Sequence, residues 1–140
     1  MKKTGQQIIT DVIALLRESV LVTDANGVNG EIYRPGTRPR NSVSEDIVVI
    51  FTTGDGAQFQ SGVVTLNVYV PYCNNGLNGV MVPDSERCEA IEALAQETVD
   101  GLKAYRSDYR FSLRETIHTQ EEDEINQSFV VVRLGFSFIN

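Results

Sequence analysis

The chain has 140 residues, 41% of them apolar and 22% charged, and a formal net charge of −7. That length fits one domain whose core needs no disulfide or metal to hold it. The acidic balance argues against general nucleic-acid binding, where neutralising phosphates demands a surplus of Lys and Arg. No apolar run approaches the roughly 20 residues of a membrane helix. The opening Met1–Gln6 leads into an amphipathic stretch interrupted by Asp11 and Arg17, unlike the unbroken apolar core of a signal peptide, so a cytoplasmic protein is expected.

Ile8, Ile9, Val12, Ile13, Leu15, Leu16 and Val20 recur at helical spacing, predicting a helix over Thr4–Val20. Thr4 suits the N-cap and Gln7 completes a capping box. Asn26-Gly27 signals a turn, and a short strand follows over Glu31–Arg34. Pro35 to Ser42 holds two prolines, a glycine, Arg38 and Arg40, and reads as an extended surface loop. Asp46–Thr52 is strongly β-prone and apolar at consecutive positions, as in a strand covered on both faces. Thr53–Ala57 reads as a hairpin turn, and Gln58–Val70 as a longer strand with Val64, Leu66, Val68 and Val70 toward the core.

Pro71–Pro83, with Asn74-Asn75-Gly76 and Asn78-Gly79, reads as a long irregular connection. Asp84 and Ser85 then cap a second helix running to about Tyr105, with Cys88, Ile91, Leu94, Ala95, Thr98, Val99 and Leu102 as its apolar stripe. A strand from Tyr109 to Thr119, an acidic turn over Gln120–Glu124 and a last strand over Asn126–Ile139 complete the chain. In that last strand Val130, Val132, Leu134, Phe136 and Phe138 share one face. The order α-β-β-β-α-β-β predicts an α+β two-layer sandwich, a mainly antiparallel sheet with two helices on one face, as a single domain over 1–140.

No catalytic, cofactor or metal constellation emerges. Cys73 and Cys88 lie 15 apart without a CxxC pair, and His118 is the single histidine. Gly54-Asp55-Gly56 matches neither a P-loop nor a dinucleotide fingerprint. Glu121-Glu122-Asp123-Glu124 lacks the alternating ligands of a calcium loop and reads as a solvated turn that discourages stray strand pairing.

Two features suggest contact with another chain. Arg34, Arg38 and Arg40 fall within seven residues around two prolines; they form either a solvated loop or a stiff arm that docks on acidic groups or phosphate. Phe129 and Val131 lie on the face of the last strand turned from the helices; an N-terminal segment or a loop covers them, or another chain does.

The helix, the Pro/Arg loop, the run Gln60–Val70, the acidic helix segment Arg87–Leu94 and the closing strand Ser128–Phe136 together resemble the tail-terminator or tail-completion proteins of long-tailed phages. The resemblance spans most of the chain as order and pattern. It implies a non-enzymatic virion component, assembled in the bacterial host cytoplasm. Usually six copies form a ring that ends the tail tube and meets the head connector, with DNA passing through the lumen unbound. In such a ring Arg34, Arg38 and Arg40 on one side, and the acidic second helix or the turn with Glu121 and Glu122 on the other, would supply unlike patches, with Phe129 and Val131 as apolar contacts. No cofactor and no membrane enter this reading. The alternatives are a head-closure or neck adaptor, a ligand-binding module with Pro71–Pro83 as a lid, and an enzyme built on His118 and nearby carboxylates.

Overall fold

The computed structural model describes residues 2–56, 59–76, 79–104 and 108–139. The chain runs α1 (Gly5–Arg17), α2 (Val20–Thr23), β1 (Ile32–Tyr33), β2 (Ile47–Asp55), β3 (Phe59–Pro71), β4 (Cys73–Asn74), β5 (Met81–Val82), α3 (Ser85–Ala104), β6 (Arg110–Leu113), β7 (His118–Glu122), a 3-10 turn (Asp123–Ile125) and β8 (Gln127–Ile139). The main sheet is ordered β1-β2-β3-β8, and β6 and β7 share the far edge of β8. The β1–β2 pair is parallel and the rest of this sheet is antiparallel. The protein is an α+β sandwich with its main helices on one face.

The first helix starts as its cap predicts. Gln7 N–H donates to Thr4 Oγ1 at 3.3 Å, and Thr4 N–H donates back to Gln7 Oε1 at 2.8 Å. It does not reach Val20. Ser19 Oγ donates to the Leu16 carbonyl at 2.6 Å, competing with the helical ladder. The backbone turns extended at Ser19, and α2 sets off in a new direction with Leu21 buried.

Ile8, Ile9, Val12 and Leu16 of α1 and Ile91, Ala95 and Val99 of α3 meet Val64, Leu66 and Val68 of β3 and Val130, Val132 and Leu134 of β8 in one core. Each such aliphatic side chain contributes about 1.5–3 kcal/mol by leaving water. The predicted inward sets of β3 and β8 all lie on this face.

Three expectations are corrected. The expected hairpin turn at Thr53–Ala57 starts too early: β2 runs to Asp55, with a register shift between Phe51 and Thr53, and residues 57–58 lie outside the described set. The Pro71–Pro83 connection holds a small hairpin: Cys73 pairs with Val82 and Asn74 with Met81, while positive φ at Gly76 and Gly79 suits its turn. Residues 77–78, and Tyr105 at the expected end of α3, are outside the described set. The strand expected over Tyr109–Thr119 is two pieces. Leu113 faces Leu134 and His118 faces Val131, so five steps along the edge cover three along β8; the extra residues fall between Arg114, whose N–H still donates to the Arg133 carbonyl at 2.9 Å, and Ile117, which turns into the core. The acidic segment is therefore part strand, through Glu122, and part 3-10 turn.

Candidate assembly surface

The face of the sheet turned from α1 and α3 is covered at one end only. There the Pro35–Ser42 loop folds back over it, held by an acidic doublet, Glu45-Asp46, that leads into β2. Asp46 Oδ1 accepts the Glu31 N–H at 2.9 Å, and Oδ2 accepts Arg38 Nε at 2.8 Å and the Ser42 hydroxyl. The Arg38 side chain is 12% exposed and that of Asp46 1%. Arg38 Nη2 also donates to Gln127 Oε1 at 2.9 Å and to the Ser44 carbonyl at 3.2 Å. Its guanidinium lies 4.0 Å from the centre of the Tyr69 ring, which packs on Phe129 at 5.7 Å. Burial would push the Asp46 carboxyl up, but the hydrogen bonds from Ser42 and Glu31 and the charge of Arg38 outweigh it and hold it below the usual carboxylate range.

Glu45 receives a second arginine. Arg87 of α3 donates through Nε to Glu45 Oε2 at 2.6 Å and through Nη2 to Oε1 at 2.8 Å, and Nη2 reaches the Gly27 carbonyl at 2.9 Å. This fork ties α3 to the β1–β2 connection. Gly30 lies against the doublet so closely that a Cβ there would stand 2.1 Å from Asp46 Oδ1 and 2.6 Å from the Glu45 carbonyl oxygen.

The seven residues expected at a subunit interface do not form one patch. Arg34 donates to Gln6 Oε1 at 2.7 Å and to the Thr10 hydroxyl, clamping the loop to α1. Arg38 is largely withdrawn into the network above, where the Asp46 carboxylate, the Ser44 carbonyl and Gln127 Oε1 take up its donors and offset the loss of water. Of the three arginines Arg40 alone projects, exposed and with no side-chain partner among the described residues. Val131 is buried at 3% exposure, and Phe129 is half-buried beneath Tyr69, so the cover expected for them comes from the chain itself. Glu121 and Glu122 alternate along β7, placing them on opposite sides of the sheet.

His118 lies half-buried at the edge, with Nδ1 3.0 Å from the Thr116 carbonyl and Nε2 3.2 Å from Gln120 Nε2. No cluster of three His, Cys, Asp or Glu side chains suited to a metal is found among the described residues. No described helix is long and apolar enough to cross a membrane.

Beyond the loop, the same face of the sheet is open. Its β6 end is a shallow trough of about 430 Å³, lined by Arg110, Ser112 and Arg114 on one side, Gly135 and Ser137 on the floor, and Asp55 and Ser61 opposite. Reading the sequence alone passed over this trough. Its signal was the alternation of Arg110 and Ser112 with the buried Phe111 in β6, followed at once by a second arginine, Arg114.

No protein-family model and no curated protein matches the chain. One solved structure aligns with 96% of this chain and 96% of its own at 14% identity and a TM-score of 0.44, too weak a likeness to bear on function.

Proposed function

We propose that this chain is a structural virion-assembly protein, a subunit of a ring that terminates a phage tail tube and joins it to the head connector. The observation that carries the reading is the one-sided sheet. Both long helices pack on its inner face, while the outer face is covered over the Tyr69 end and open at the trough bordered by Thr53, Ser61, Arg110 and Ser137. A subunit of a closed ring needs two different surfaces, one to give and one to receive. A helix layer on one side and an open sheet on the other supply them. The order of elements, and the resemblance of the Gln60–Val70 and Ser128–Phe136 runs to the tail-terminator family, support the same reading. The net charge of −7 suits a lumen through which DNA slides without sticking. Electron microscopy of the purified protein at high concentration, alone and with isolated tail tubes, tests it. Closed rings with a central hole, free or seated on tube ends, are expected. Two-fold dimers, or particles that leave tube ends bare, would refute it.

A further inference from the structure

The open trough and the outward face of α3 match each other in charge. Arg110 and Arg114 both line the trough, Arg110 within β6 and Arg114 just past its end. The Arg114 side chain lies across Gly135 so closely that a Cβ there would come within 2.7 Å of Arg114 Cδ. Among the described lining residues, two guanidiniums and one carboxylate, that of Asp55, give a basic excess in an acidic protein. On α3, Glu86, Ala90, Ala93 and Glu97 are all exposed and fall on one stripe. The two carboxylates are about 16 Å apart along the axis, with two alanines as a low crown between them. The fork geometry of guanidinium and carboxylate rewards such a pairing.

The two surfaces lie on opposite sides of the sandwich, so one chain cannot join them to itself. We infer that the trough between Arg110 and Arg114 receives the Glu86–Glu97 stripe of α3 from a second copy of this chain. The contact is head-to-tail, and it rests on the ring reading because only closure of such contacts stops them growing into a filament.

The test is a charge swap followed by light scattering. Arg110→Glu/Arg114→Glu and Glu86→Lys/Glu97→Lys are each expected to weaken self-association about 100-fold or more by setting like charges together. Mixed one to one, the two variants are expected to restore association. Self-association of the first variant equal to the wild type would overturn this contact and leave the ring reading standing. A wild-type protein that stays monomeric both alone and on tail tubes would overturn both. If the swapped chains do not fold, judged by circular dichroism, Arg114→Cys and Glu97→Cys proteins, each also carrying Cys73→Ser, are mixed and oxidised. A mixed disulfide formed in excess of either homodimer supports the contact; equal yields refute it.

Discussion

Arg38 and Asp46 meet where water hardly reaches, so removing one strands the other as a buried charge. Arg38→Ala is expected to lower the unfolding free energy by about 3 kcal/mol, measured by urea denaturation. Arg40→Glu, on the exposed part of the same loop, is expected to change it by less than about 0.5 kcal/mol. Asp46 also sets a pH dependence. Its folded carboxyl holds its proton less tightly than the unfolded one, so it adds stability above the ordinary Asp pKa of about 4. That stability is lost as pH falls through the lowered folded value. Asp11 acts in the same direction: burial opposes the shift, and hydrogen bonds from Lys3 and Tyr109 outweigh it. Melting temperature is expected to fall steeply below about pH 4, and less steeply in Asp46→Asn measured against its own value at neutral pH. The arginine cluster was legible in the sequence; its direction was not, because composition does not say whether a guanidinium will find a carboxylate inside the chain. The partner left a trace in the Glu45-Asp46 doublet just before an apolar strand. Arg87 left another, one turn before Ile91 on the buried side of its helix.

Elements with periodic apolar faces were read correctly because burial of a face is decided by spacing alone. The inward sides of β3 and β8, the stripe of α3 and the capping box of α1 all follow from it. Boundaries set by single side chains were not legible. Ser19 breaks the first helix through a hydrogen bond to the Leu16 carbonyl, and the edge strand splits between Arg114 and Ile117, where Ile117 turns into the core. Thr4→Ala, which removes the cap, is expected to cost about 1 kcal/mol in thermal or urea unfolding. Gly30→Ala is expected to be more severe, since the new methyl meets Asp46 and the Glu45 backbone; soluble yield and melting temperature check it. Amide exchange is expected to be slowest at Leu66 and Val132, central in the sheet and fully paired. It is expected to be fastest in the short β4–β5 hairpin.

At the scale of the whole molecule, the chain is a plate with helices on one side and a half-open sheet on the other. The loop that looked like an arm is a strap over its own sheet, and the basic surface left for a neighbour is the trough at β6. Assembly should therefore depend on Arg114 and tolerate Arg40→Glu, a contrast that light scattering of the two variants would show. We propose that copies of this chain associate head-to-tail and close. The most direct test is the solution mass of the wild-type protein across concentration and salt. A single closed species near six times the 15.5 kDa chain, weakened by salt, is the predicted result. A monomer or two-fold dimer that persists at every concentration would contradict it.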